Sequence, residues 1–168
     1  MAKIFGVGNN PLDSILPIYG NPRVKTPIWN ESQNMFITDQ YTTAGGNTCY
    51  LGVRFTDRFV TILHIGLYHN WTYINDVEVY AFDGEDRKLV GKVSLDKFYD
   101  ENLVRTTTEN LLLDYIEGQM LLQGIKPQRD QLKEQVEQLV QKSYCSMLND
   151  PVTAQRLEAV KPLLIANR

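Results

Sequence analysis

The sequence predicts an α+β fold: an N-terminal antiparallel β-meander of about four to five strands, covered by a C-terminal layer of three helices. Two observations carry this expectation. Apolar residues alternate with a period of two up to about Leu95, then recur at helical spacing from Thr106 onward. One hairpin register also satisfies both faces of a strand pair at once. The 168 residues are read as a single domain with an irregular arm over 1–34, a sheet over 35–95 and a helical layer over 106–165.

The arm is rich in turn formers, including Gly6, Gly8, Asn10-Pro11, Gly20, Asn21-Pro22 and Pro27. Its apolar members, among them Ile18, Tyr19, Ile28 and Trp29, favour docking over full disorder. Strands follow over 35–42 and 48–56, flanking the turn Ala44-Gly45-Gly46-Asn47, where glycine supplies positive φ cheaply. Asp57-Arg58 breaks the pattern before a strand over 59–67. The last pair, 71–82 and 89–95, surrounds Asp83-Gly84-Glu85-Asp86-Arg87. With that segment as the loop, Val77 faces Val93 and Ala81 faces Leu89 on one side. Glu78 then sits opposite Lys92, a favourable cross-strand pair on the other.

Thr106 precedes Glu109 by three places, the pattern of a reciprocal helix N-cap, so the first helix is expected over 107–123, ending at Gly124. Its apolar residues cover more than half its circumference, which suits a helix between two layers. A second helix is expected from Pro127 to about Leu148. Its apolar stripe includes Leu132, Val136, Leu139 and Val140, a candidate interface with the first helix or with a second copy of the chain. Asp150-Pro151 reads as the start of a third helix, which Pro162 ends or kinks.

Composition narrows the function classes. Lys and Arg number 17 against 20 Asp and Glu, a balance that disfavours a broad phosphate-binding surface. Acids are interspersed among the basic residues of the helical half, and no paired RNA-binding aromatic motif is evident, so nucleic acid is disfavoured as a partner. Cys49 and Cys145 lie far apart and read as free thiols in a reducing compartment. No secretory signal and no membrane-length apolar run is visible, so a cytoplasmic location without membrane insertion is expected.

No motif announces catalysis, a cofactor or a metal. Gly6-Val7-Gly8-Asn9-Asn10 lacks the third glycine of a dinucleotide loop and the ending of a P-loop. His64 and His69 form no ligand pair of known spacing. Asp83, Glu85 and Asp86 lack the regular ligand spacing of a calcium loop. The expectation is therefore no catalytic residue, no cofactor and no metal ligand. What remains is binding. Tyr68, His69, Trp71 and Tyr73 gather amphipathic rings between two strands and form a candidate recognition edge. The reading is a binding or assembly module that meets a protein partner or itself as a homodimer. A small-molecule enzyme is the competing class and a nucleic-acid accessory protein the third.

Overall fold

The structure, a computed structural model, describes residues 26–56, 58–83, 86–144 and 151–164. An antiparallel sheet precedes three helices, the α+β order expected. Its strands are β1 (Ile28–Asn30), β2 (Met35–Ile37), β3 (Tyr41–Thr42), β4 (Thr48–Phe55), β5 (Phe59–Tyr68), β6 (Trp71–Asp83) and β7 (Asp86–Phe98). The helices are α1 (Glu101–Leu122), α2 (Arg129–Lys142) and α3 (Pro151–Val160), the last running into a 3-10 turn, Lys161–Leu164. The sheet order is β1-β2-β4-β5-β6-β7, with β3 pairing the start of β4.

The sheet is larger than expected because its first strands are short. Within the span expected to be an irregular arm, Ile28–Asn30 pairs with β2, and residues 1–25 lie outside the described ones. A side-chain bond across the turn braces this hairpin: Asn30 Oδ1 accepts from the Gln33 amide three residues on at 3.0 Å, and Asn34 adopts a left-handed φ of 53°. The strand expected over 35–42 is split in two. Thr38 interrupts it, its hydroxyl accepting from the Leu51 amide at 2.9 Å.

The hairpin register holds in its middle and slips at its ends. Val77 pairs with Val93 and Glu78 with Lys92, as expected. Toward the turn, Ala81 meets Lys88 rather than Leu89, because Asp83 already pairs with Asp86 and the loop is shorter than five residues. A bulge between Val79 and Tyr80 absorbs the difference. Further along, Asn75 on β6 faces two residues, Leu95 and Asp96, and Asp96 takes φ 49°. This second bulge lets β7 continue to Phe98, beyond the expected end at Leu95.

The expected cap at Thr106 is incorrect. Asp100 is the N-cap of α1, its carboxylate accepting from the Asn102 amide at 3.0 Å. Thr106 lies inside the helix and donates to the Leu103 carbonyl. The other end matches expectation. The Ile125 amide reaches the Met120 carbonyl, the Gly124 amide reaches Leu121, and Gly124 has φ 77°, a Schellman stop. The second helix begins at Arg129 instead of Pro127, and its expected end near Leu148 lies outside the described residues. Asp150, the expected cap of α3, lies there too.

The three helices divide between the two faces of the sheet. On one face Leu63, Ile65, Ile74, Val77 and Val79 pack with Val104, Leu112 and Leu113 of α1 and with α2. On the other, Leu51, Val53, Phe55, Val60 and Ile62 pack with Leu157, Val160 and Leu164 of α3 and its 3-10 extension. The near-continuous apolar runs of β4 and β5 were the sequence sign of burial on both faces.

Candidate functional site

The end of the sheet formed by the β5–β6 turn carries the rings picked out in the sequence. Tyr68 pairs with Trp71 across a two-residue turn in which His69 and Asn70 both have positive φ, 51° and 73°. This is a type I′ hairpin, whose twist matches that of the flanking strands. Trp71 is 60% exposed, His69 is exposed, and Tyr68 and Tyr73 are half-buried.

The structure adds a ring that the sequence reading missed. Phe98, 57% exposed, pairs with Tyr73 across the β6–β7 ladder. Its ring stacks on Tyr73 at 4.7 Å between centroids and meets Trp71 edge-on at 5.5 Å. Tyr73 in turn meets Tyr68 edge-on at 4.9 Å. The four rings form one contiguous cluster. Tyr68 lies over Gly66, where an added Cβ would come within 2.7 Å of its hydroxyl. The Asn75 amide donates to the same hydroxyl at 3.3 Å.

Beside the rings lies an open groove of about 820 Å³, lined by Tyr73 and Phe98, by Asp96, Lys97 and Asp100, and by Tyr99, Glu101 and Leu103 at the start of α1. Its helix-side wall is held by a partly buried ion-pair network. Arg54 of β4 is 2% exposed and donates to both oxygens of Glu101, at 2.7 and 2.6 Å. It also donates to Tyr144 at 3.1 Å and to the carbonyls of Asn34 and Gln33 at 2.9 and 2.8 Å. All five guanidinium N–H groups are thereby used. The Tyr99 and Tyr144 hydroxyls donate to Glu101 at 2.8 and 2.6 Å. Arg54 also stacks 4.1 Å from the centre of the Tyr144 ring.

The electrostatics follow from this geometry. Burial pushes the Glu101 carboxyl up, but the Arg54 bonds and charge, with the two phenols, more than offset it and hold it below the ordinary carboxylate range. Burial pushes the Tyr99 and Tyr144 phenols up, so both stay protonated donors. Glu101 is thus a neutralised anchor for α1, while Asp96 and Asp100 stand exposed along the groove.

The remaining candidates sit elsewhere. Leu132, Val136 and Val140 are buried in the α1-side core, with Leu139 packed against it, so the α2 stripe is occupied within the chain. On the α3 face His64 lies 3.4 Å from Glu78, and Lys92 lies 3.7 Å from the other Glu78 oxygen. Cys49 is buried, and burial pushes its thiol up. The groove is lined by none of His64, His69 or Cys49. Cys145 lies outside the described residues, as do the Gly6–Asn10 segment and Glu85.

Among the described residues, no helix is long and apolar enough to cross a membrane, and no group of three or more His, Cys, Asp or Glu is placed to hold a metal ion. No protein-family model, curated protein or solved structure matches this chain significantly.

Proposed function

We propose that this protein is a binding or assembly module that meets a protein partner through the aromatic end of its sheet. The exposed pair Trp71 and Phe98, in contact with each other and backed by Tyr68 and Tyr73, carries this reading. Two large rings more than half exposed leave roughly 100 Å² each in water. Covering them contributes about 2–3 kcal/mol apiece. Aromatic anchors of this kind are enriched at the centres of protein interfaces.

A photo-cross-linking residue at position 71, introduced in the cells that make the protein, tests the reading. The expected result is one defined adduct, absent when the same group is placed at the exposed Lys142 of α2. A ladder of unrelated adducts at both positions would remove the proposal.

A second reading, self-association, is favoured by Leu121, Leu122 and Ile125, exposed at the end of α1. Light scattering over a range of concentrations separates the two: a mass doubling abolished by Leu122→Gln supports the dimer, and a constant monomer mass excludes it.

A further inference from the structure

We infer that the aromatic end of the sheet receives an arginine-bearing, basic segment of its partner, the guanidinium stacking on the exposed rings while carboxylates beside them meet its charge. The inference rests on the reading above that this end binds protein. The rings supply the first half of the argument. Trp71 and Phe98 present exposed π surface, and the groove beside Phe98 is open enough to admit a side chain. A guanidinium over such faces gains from the ring quadrupole and stacks on it as a plane. The fold uses the same contact internally, with Arg54 over Tyr144 at 4.1 Å and Arg156 over Phe82 at 4.4 Å.

Charge complementarity supplies the second half. Of the groove's charged lining among the described residues, Asp96 and Asp100 are exposed acids, Lys97 is the one ammonium, and Glu101 is already matched by Arg54. Asp76, next in sequence to the Asn75 that holds the Tyr68 hydroxyl, lies outside the groove lining and accepts from the Ser94 hydroxyl at 2.6 Å. The backbone also turns out of its way to place Asp96. A β-bulge puts this non-glycine residue at φ 49°, a conformation that aspartate tolerates better than most residues, and bulges re-aim side chains next to functional sites. A stacked nucleic-acid strand would have to carry its phosphates past the same acids.

The test uses the whole protein and the peptide acetyl-Gly-Arg-Gly-Arg-Gly-amide, followed by the indole N–H resonances of the two tryptophans, Trp29 and Trp71. Trp71→Phe assigns the pair. The Trp71 resonance is expected to shift saturably with the arginine peptide and about tenfold more weakly with its uncharged citrulline analogue. Asp96→Asn with Asp100→Asn should weaken the arginine response about fivefold, both substitutions keeping a residue suited to a left-handed turn or an N-cap. Gln131→Ala, on the exposed side of α2, should leave it unchanged. Equal response to arginine and citrulline overturns the inference, as does a stronger response to an oligothymidine or no response at millimolar peptide. A defined cross-link at position 71 combined with any of those results leaves the protein-binding reading standing and removes only the basic partner.

Discussion

Removing Arg54 and Glu101, singly and together, probes how the start of α1 is held. Arg54 is the buried member, whereas the Glu101 side chain is 40% exposed. Glu101→Ala therefore strands a guanidinium that reaches water only through the gap left behind. Breaking a buried pair in this way costs about 3–5 kcal/mol, and that gap places the cost near the lower figure. Arg54→Met keeps the aliphatic volume and leaves a carboxylate that can turn to solvent. Its cost comes from the unpaired carbonyls of Gln33 and Asn34 and amounts to about 2 kcal/mol. The double variant strands no charge and should cost less than the sum by at least about 1 kcal/mol. Urea unfolding followed by circular dichroism at neutral pH measures all three, and thermal melts should show Glu101→Ala lower by about 6–12 °C. Glu101 also sets a pH signature. Its folded pKa is depressed, so its stabilisation is complete above the ordinary carboxylate value and is lost as pH falls through the depressed one. Glu101→Ala should lack that acid-side loss. Additive single effects, or a cost ordering with Arg54→Met the larger, would refute this account of the network.

Three further outcomes are expected. Gly66→Ala should drive Tyr68 off its seat, costing about 1–3 kcal/mol and broadening the Tyr73 ring resonances; an unchanged melt would mean the ring moves freely. In a Cys145→Ser background, Cys49 should react with Ellman's reagent only at the rate of unfolding, since it is buried and its thiol is held protonated; prompt labelling in the native state would contradict its placement. Burial, then the charge of Glu137, raises the Glu109 carboxyl, so its stability contribution is greatest below the ordinary carboxylate value and declines as pH rises through the raised one. Glu109→Gln should therefore raise Tm by about 1–2 °C at neutral pH, an increment kept small by solvent screening and absent in acid; a loss at neutral pH would show that the Arg105 pairing outweighs burial.

The α+β order was legible because the two periods, two and 3.6, are hard to confuse over long elements. The central register of β6 and β7 was legible for a similar reason: Val77–Val93 and Glu78–Lys92 satisfy both faces only when aligned. Their ends were not, since a bulge costs one residue and leaves no periodic trace. That loss hid Phe98, because the alternation stops where Asp96 takes a left-handed φ. The helix start was misplaced by a competing signal. Thr106 and Glu109 fit a capping box, but Asp100-Glu101 lies earlier and is fixed by Arg54, a partner 47 residues away in sequence. The rings Tyr68, Trp71 and Tyr73 were found from type and spacing alone, whereas the groove beside them exists only after β7 turns into α1.

The division of helices between the two faces has a consequence for how the chain is made. Each of β4 to β7 pairs with its immediate neighbour in sequence, so the central meander can form while the polypeptide is still emerging. The α1 face can be covered soon afterwards. The opposite face, with Leu51, Val53, Phe55, Val60 and Ile62, waits for Leu157, Val160 and Leu164, about a hundred residues later. During that interval the nascent chain shows an apolar sheet surface to its surroundings. A chain truncated shortly before residue 151 keeps α1 and α2 but lacks the Leu157, Val160 and Leu164 that pack on that surface, a form suited to capture by chaperones or to aggregation.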